Sequence, residues 1–218
     1  MSLDYYFLEA DQDKPDIEVS QPLRHSYLIR NAFNLTEIRN YTRELHTLPW
    51  KIQEIAVAGK CYMPKRETLG FAAKSAENLL EDRNFYGLTY PNIIEQIREQ
   101  VSNIIADQLN EVVKPEMNFC WGNRYRTGTD KVGKHKDNEK WHSPVDPIIS
   151  VSLGVKRAFD VLGDHGRIER FHLGHGDIFL MMPGFQQAFY HAVPVQKKVV
   201  GSRINLTFRT LERPPKLR

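Results

Sequence analysis

The sequence of 218 residues has only two cysteines, Cys61 and Cys120, and no CxxC motif. This scarcity argues against a disulfide framework and against a zinc site built from cysteines, and it favours a reducing compartment. No stretch of the sequence approaches the apolar length that a membrane-spanning helix needs, which excludes such a helix. The first residues also lack the basic and apolar regions of a secretory signal. These absences predict an intracellular protein with no membrane attachment.

The composition is that of a globular protein. Hydrophobic residues make up 41% and charged residues 26%, which is too apolar for a disordered chain. The formal net charge of +3 is mildly basic, and it is compatible with a polyanionic partner without demonstrating one. The length favours one domain, and there is no internal repeat or low-complexity block.

Two parts of the chain differ in texture. Residues 1–24 are acidic around Pro15 and predict a weakly ordered lead-in. Residues 25–218 predict a single domain, in which helices and a hairpin lid occupy 25–114. Short strands separated by turn signals follow over 115–212, as in antiparallel sandwiches and barrels. We therefore expect an α+β fold in which helices buttress a C-terminal β core.

The helices and the hairpin have local signals. Asn34 and Glu37 form the pattern of a capping box, and a second helix is predicted from Pro91 to about Asn110. Between them, two extended segments predict a hairpin. The residues near its tip are Ala58, Gly59 and Lys60, with further basic residues at Lys65 and Arg66.

The segment from Arg203 to Arg209, with the sequence RINLTFR, alternates apolar and polar residues. Side chains of a strand alternate between its two faces, so the polar residues share one face. They are Arg203, Asn205, Thr207 and Arg209. On a surface strand this face would simply be solvated. In a pocket, two guanidinium groups suit an anion with two carboxylates, because arginine pairs with carboxylates through two parallel hydrogen bonds.

A second pattern is His135-Lys136-Asp137, whose spacing places the imidazole and the carboxylate on one face of a strand. His191 lies in an apolar strand further along the chain, where a histidine in the core would be the ordinary explanation. Two histidines and one carboxylate with open coordination positions form the facial triad of non-haem Fe(II) oxygenases. Basic residues surround this region, which is either a solvated face or a nucleic-acid contact.

Taken together, these motifs resemble the AlkB family of Fe(II)/2-oxoglutarate-dependent dioxygenases, in its alkylated-DNA-repair branch. The resemblance covers about residues 59–210. The motifs that carry it are Asn123-Arg124-Tyr125, His135-Lys136-Asp137, Ser150–Gly154, His175-Gly176-Asp177, Tyr190-His191 and Arg203–Arg209. The resemblance implies a double-stranded β-helix (jelly-roll) core with a nucleotide-recognition hairpin lid.

The resemblance also implies the cofactors and their ligands. His135, Asp137 and His191 would bind Fe(II), with O2 and 2-oxoglutarate as cosubstrates. The residues that would bind the carboxylates of 2-oxoglutarate are Asn123, Tyr125, Arg203, Asn205, Thr207 and Arg209.

The residues implied to contact the substrate are Ala58, Gly59, Lys60, Arg83, Phe85, Asn138 and Glu139. Phe85 matches the aromatic residue that stacks on the flipped base, and Glu139 matches an acidic position facing the exocyclic amine of that base. Arg83 occupies a position where relatives usually have a tyrosine.

Ala58 occupies the position of a bulky apolar residue that, in relatives specialised for duplex DNA, fills the gap left by the flipped base. A methyl group cannot fill that gap, so single-stranded substrates are expected to be repaired at least as well as duplexes. Alternatively, Tyr62 or Met63 acts as the wedge.

The implied function is oxidative removal of N-alkyl groups from bases such as 1-methyladenine and 3-methylcytosine in DNA, with RNA as a further candidate, releasing formaldehyde and succinate. The alternatives are an oxygenase of the same chemistry acting on RNA or on a protein side chain, and a catalytically silent jelly-roll module that binds nucleic acid. We expect a monomer, located in the cytoplasm of a bacterium or the nucleus of a eukaryote.

Overall fold

A computed structural model describes residues 15–57, 60–77, 87–109, 115–139 and 141–212. Within these ranges the chain forms four helices and fourteen strands. The helices are α1 (Leu35–His46), α2 (Lys74–Glu77), α3 (Asn92–Gln108) and α4 (Phe185–Ala188). The strands are β1 (Glu18–Ser20), β2 (Ser26–Arg30), β3 (Ile55–Val57), β4 (Lys60–Tyr62), β5 (Glu67–Ala72), β6 (Gly87–Thr89), β7 (Phe119–Tyr125), β8 (Val132–His135), β9 (Ile148–Gly154), β10 (Arg157–Gly163), β11 (Gly166–Leu173), β12 (Asp177–Met181), β13 (Tyr190–Val193) and β14 (Arg203–Arg209).

The strands form a major and a minor sheet. The major sheet has eight strands in the order β1-β2-β12-β9-β14-β7-β5-β6, and the minor sheet has four in the order β11-β10-β13-β8. Apolar side chains from both sheets, such as Phe179 of β12 and Val161 of β10, belong to one buried cluster. The two sheets therefore pack face to face, which confirms the predicted jelly-roll core.

The opposite face of the major sheet is covered by helices. Helix α1 begins after Asn34, where the Asn34 side chain accepts a hydrogen bond from Glu37 N at 2.9 Å and the Glu37 carboxylate accepts one from Asn34 N at 2.9 Å. This is the predicted capping box, and it satisfies amide groups that the first turn leaves without intrahelical partners. The apolar faces of α1 and α3 are buried in a cluster that also contains the apolar side chains of β14. No helix in the described part of the chain is long and apolar enough to cross a membrane.

Several elements differ from the sequence predictions, among them the strands β2 and β6 and the short helices α2 and α4, which were not predicted. Strand β1 lies inside residues 1–24, for which weak order was predicted, and it pairs with β2 at the edge of the major sheet. The three residues of β1 are exposed, so the sequence has no hydrophobic pattern there that would predict a strand. The predicted hairpin is limited to β3 and β4, because β5 leaves it and pairs with β7. Strand β10 was not predicted. The hairpin tip at Ala58 and Gly59 and the predicted helix end at Asn110 lie outside the described residues.

Candidate active site

Three predicted metal ligands meet between neighbouring strands of the minor sheet. His135 ends β8 and is paired directly with His191 of β13, so their ring centroids are 4.2 Å apart. One possible ligand atom from each of His135, Asp137 and His191 lies within 4.8 Å of the other two. The prediction that His135 and Asp137 share one face of a strand was wrong in its geometry. Strand β8 ends at His135, and Asp137 in the segment that follows lies with Oδ1 3.5 Å from His135 Nε2 and Oδ2 3.8 Å from His191 Nε2.

Hydrogen bonds orient the side chains of His135 and Asp137. The Arg209 guanidinium donates from Nη2 to Asp137 Oδ2 at 2.7 Å, and Asp137 N donates to the Gln186 side chain at 3.0 Å. His135 Nδ1 lies 2.9 Å from the carbonyl oxygen of Gly133, which directs its Nε2 toward Asp137 Oδ1, 3.5 Å away. Such a contact on the outer ring nitrogen is how metal-binding histidines are usually oriented.

Electrostatics keep Asp137 and His191 in a metal-binding protonation state. Burial raises the pKa of Asp137, but Arg209 and the two histidines outweigh it and hold that pKa well below its ordinary value. Burial lowers the pKa of His191 to about 3, so its imidazole is neutral at pH 7. Its buried Nδ1 has no hydrogen-bond partner within the described ranges. Burial lowers the pKa of His135, but its contact with Asp137 outweighs burial and raises that pKa above its ordinary value. The ionised Asp137 and the neutral His191 fit a divalent transition metal, which would displace any proton from His135, because metal ligands must be deprotonated.

The polar face of β14 lies in the interior, so the interpretation of this face as merely solvated is wrong. Arg203 is 1% exposed and Arg209 is 6% exposed. Arg203 Nη2 donates to Ser152 Oγ at 2.7 Å, but its Nε and Nη1 are buried without a partner among the described residues, as is Arg209 Nε. Buried donors without acceptors are costly and rare. An anion with two carboxylates would supply the missing acceptors.

Asn205 and Thr207, which lie between the two arginines on the same face of β14, form hydrogen bonds within the protein. The Asn205 amide donates to Ser150 Oγ at 2.8 Å and to the carbonyl oxygen of Val151 at 3.0 Å. The Thr207 hydroxyl donates to the carbonyl oxygen of Trp121 at 3.0 Å. These bonds hold β14 between β9 and β7 and fix the spacing of the two guanidinium groups.

Strand β7 supplies the other predicted cosubstrate residues. Asn123 is paired with Asn205 and Tyr125 with Arg203, so both lie beside the polar face of β14. The carbon atom at the centre of the Arg203 guanidinium is 5.4 Å from the centroid of the Tyr125 ring. The structure therefore brings all six predicted cosubstrate residues together on adjacent strands.

Arg66 and Arg157 also lie near this pocket, a position that the sequence did not predict for them. Arg66 donates from Nε to Asn123 Oδ1 at 2.6 Å, whereas the sequence placed it among the basic residues near the hairpin tip. The pairing of β5 with β7 brings it inward, and no local pattern reveals that pairing. Arg157 is 1% exposed, lies 5.5 Å from the Tyr125 ring centroid, and donates to backbone carbonyls of Thr127 and Asp130.

The predicted substrate residues are only partly described. Asn138 and Glu139 are exposed and follow Asp137 directly, at the solvent end of the metal cluster. Glu139 Oε2 lies 3.3 Å from His142 Nδ1, and the partial shielding of its carboxyl group from solvent raises the pKa of Glu139. Lys60 is the first residue of β4. Ala58, Gly59, Arg83 and Phe85 lie outside the described residues.

Positive charge flanks the metal cluster on the minor sheet. Lys134 and Lys136 of the β8 region place their ammonium groups 4.2 Å and 4.4 Å from the centroid of the Tyr190 ring. Their amines donate to the carbonyl oxygens of Gly163 and Gln187, so both are held in place next to His135 and His191. This arrangement agrees with the predicted basic surroundings of the site.

The family model of the 2OG-Fe(II) oxygenase superfamily matches residues 25–209. The chain belongs to this superfamily. It is 31% identical over 189 residues to the DNA oxidative demethylase ALKBH2 of Mus musculus, covering 79% of this chain and 73% of that protein. The human ALKBH2 is 34% identical over 128 residues, but the match covers only 46% of its length. Membership of the AlkB family is thereby confirmed.

A solved structure supports the fold. The structure of OsALKBH1 superposes with a TM-score of 0.59 at 16% identity, covering 87% of this chain and all of that one. The chain is a dioxygenase that uses Fe(II), 2-oxoglutarate and O2, because these define the superfamily and the donor set found here fits them. The sequence prediction of the cofactors is confirmed.

Proposed function

We propose that this dioxygenase removes N-alkyl groups from bases of the 1-methyladenine and 3-methylcytosine type in DNA, with RNA as a second nucleic acid to test. One observation carries the proposal: the cluster of His135, Asp137 and His191 lies beside buried guanidinium donors that have no partner among the described residues, in a chain 31% identical over 189 residues to a DNA oxidative demethylase. A silent binding module has no use for such costly buried groups.

The proposed roles follow from the contacts. His135, Asp137 and His191 would hold Fe(II), and Arg209 keeps the carboxylate of Asp137 ionised and oriented. The free N–H groups of Arg203 and Arg209 would donate hydrogen bonds to the carboxylates of 2-oxoglutarate, with Asn123, Tyr125, Asn205 and Thr207 completing the pocket. Bound Fe(II) would supply the oxidation of the alkyl carbon by O2, in which one oxygen atom enters the hydroxylated alkyl group and the other enters the succinate that forms from 2-oxoglutarate with loss of CO2. A hydroxylated N-methyl group would then leave the base as formaldehyde.

The substrate residues are proposed from the family resemblance and from the charge at the site. A target base inside a duplex is inaccessible and must be flipped into the pocket. Phe85 would stack on it, and the hairpin residues Ala58, Gly59 and Lys60, with Arg83, would contact the nucleic acid. Asn138 and Glu139 lie at the solvent end of the cluster, where a carboxylate favours a positively charged methylated base.

We also propose that single strands are repaired at least as well as duplexes, because the Ala58 methyl group cannot replace a flipped base in the stack. Met63, one of the alternative wedges, is 64% exposed, and Tyr62 lies in β4. All members of the metal cluster come from one chain, which supports action as a monomer. DNA as substrate implies work in the cytoplasm of a bacterium or the nucleus of a eukaryote.

The decisive experiment measures formaldehyde release from matched oligonucleotides. Single-stranded DNA, duplex DNA and RNA, each carrying one 1-methyladenine or 3-methylcytosine, are compared with a methylated peptide and with unmodified strands. We expect release from methylated DNA, at least as fast from single strands as from duplexes. Release only from RNA or only from the peptide would overturn the proposal in favour of a related oxygenase.

Two variants test the substrate residues. Ala58→Phe is expected to shift turnover toward duplexes. Phe85→Ala is expected to slow turnover, since base stacking is worth roughly 1–3 kcal/mol, while 2-oxoglutarate binding stays normal. A wild-type preference for duplex that disappears in Tyr62→Ala would identify Tyr62 as the wedge and refute the role of Ala58.

A further inference from the structure

A tryptophan lies on the site-facing side of strand β7, and the roles proposed above do not include it. Side chains alternate along this strand. Cys120 is buried in the helix-side core, and a Cβ atom at Gly122 would lie 2.7 Å from the Trp50 ring on that same side. Trp121 therefore points to the opposite face, together with Asn123 and Tyr125.

The register of the sheet places Trp121 close to the metal cluster. Trp121 is paired with Thr207, and the next residue on this face, Phe119, is paired with Arg209. Side chains directly opposite each other have Cβ atoms about 4.5–5.5 Å apart. Arg209 donates to Asp137 at 2.7 Å and so orients a proposed metal ligand. The pair Trp121–Thr207 is therefore the neighbour, on this face, of the pair that contains Arg209.

The side chain of Trp121 is more exposed to solvent than the proposed cosubstrate residues on the same face. Tyr125 and Arg203 are each 1% exposed, whereas Trp121 is only half-buried. A second half-buried indole, Trp141, packs against the same small apolar cluster as Trp121. Trp141 follows the exposed Glu139 by two residues, so the cluster that contains both indoles is close in the chain to residues that are open to solvent. A nucleotide would have to approach the site through such exposed residues.

We propose that Trp121 is a specificity-determining residue whose indole contacts the flipped base and favours positively charged alkylated bases over neutral ones. The inference rests on the proposed function and identifies a residue that selects its substrate. An indole offers the best face for a cation among aromatic side chains, and 1-methyladenine and 3-methylcytosine carry a positive charge that 1,N6-ethenoadenine lacks. Trp121 would thus add an attractive contact to the charge of Glu139.

The test compares Trp121→Leu and Trp121→Phe with the wild-type holoenzyme, loaded with Fe(II) and 2-oxoglutarate without oxygen. Fluorescence anisotropy gives the Kd for labelled single strands carrying one 1-methyladenine, one 1,N6-ethenoadenine or no lesion. We expect Trp121→Leu to weaken binding of the 1-methyladenine strand about tenfold, with little change for the other two strands. Trp121→Phe should retain most of the preference, since an aromatic face remains.

Trp50→Phe is the matched control, because it removes an indole from the other side of the same strand. It is expected to lower thermal stability and to leave the lesion preference intact. A raised 2-oxoglutarate requirement in Trp121→Leu with an unchanged lesion preference would overturn the inference and place Trp121 in the cosubstrate pocket. A wild-type protein with no lesion preference and no formaldehyde release would instead refute the proposed function itself.

Discussion

The two faces of strand β14 are equally buried and chemically opposite. On one face, Ile204, Leu206 and Phe208 are at most 1% exposed and pack in the helix-side core. The other face, from Arg203 to Arg209, is at most 8% exposed and carries two guanidinium groups. Burial of the apolar face stabilises the fold by about 25 cal/mol per Å². Burial of the polar face costs free energy, and only function explains why that cost is accepted.

The buried side-chain atoms that lack hydrogen-bond partners show the same contrast between the apolar and the polar face. Seven buried side-chain atoms lack a partner among the described residues, and four of them belong to His191, Arg203 and Arg209. Burial also lowers the pKa of Arg203, which shows that its environment disfavours the charge. The apolar face is complete by itself, whereas the polar face is complete only when it binds ligands.

The largest effect is expected at the metal cluster. His191→Ala removes one of the three candidate ligands and should abolish iron retention after gel filtration. Formaldehyde release should fall by more than about 100-fold, since even groups that only orient metal ligands contribute 10–100-fold. His172→Ala, an exposed histidine of β11, is the control and should retain both. Full iron occupancy in His191→Ala would refute the ligand assignment.

On the apolar face, Phe208→Ala should lower the free energy of unfolding by about 3–5 kcal/mol, because it leaves a cavity in a well-packed core. Phe208 is fully buried. Urea denaturation would measure the loss, and the 2-oxoglutarate Kd of the folded fraction should stay near that of the wild type. A large loss of cosubstrate affinity at unchanged stability would mean that the two faces are not independent.

On the polar face, Arg203→Met should weaken binding of the cosubstrate without lowering the stability of the fold. Cosubstrate binding should weaken by about 1.5–3 kcal/mol, the worth of a hydrogen bond to a charged group, which calorimetry with 2-oxoglutarate would detect. Without the cosubstrate, the variant should be as stable as the wild type or more stable, since it no longer buries an unpaired charge. A clear loss of stability without 2-oxoglutarate would show that Arg203 already has its partners.

A smaller effect is expected where a buried charge is satisfied. Asp130 is buried and accepts three hydrogen bonds from Arg126, two from the guanidinium and one from the backbone. Burial raises the pKa of Asp130, but these bonds outweigh it and the net pKa is lowered. A lowered pKa stabilises the fold above the ordinary carboxyl pKa, and this contribution disappears as the pH falls through the folded-state pKa.

Asp130→Asn should therefore lower the free energy of unfolding at pH 7 by about 1 kcal/mol. The difference from the wild type should begin to shrink below about pH 4, where the carboxyl group of the unfolded state takes up a proton before the native one does. Unfolding curves at pH 7 and pH 3.5 would measure both values. A difference that stays constant with pH would mean that the charge of Asp130 does not contribute.

The sequence by itself determined the features that depend on neighbouring residues. The capping box at Asn34 and the positions of α1, α3 and β14 follow from local spacing, as does the division of β14 into two faces. The motif order was also sufficient to identify the family and its cofactors. These inferences succeed because capping and side-chain alternation are set within a few residues along the chain.

Only the tertiary structure decided which groups meet. Strand alternation cannot tell whether the polar face of β14 is wet or buried, and packing of the two sheets buried it. The pairing of β8 with β13 brings His135 to His191, the pairing of β5 with β7 brings Arg66 to Asn123, and the hydrogen bond from Arg209 holds Asp137 beside the two histidines. Sheet register between distant segments depends on the packing of the whole core, so no local pattern contains it.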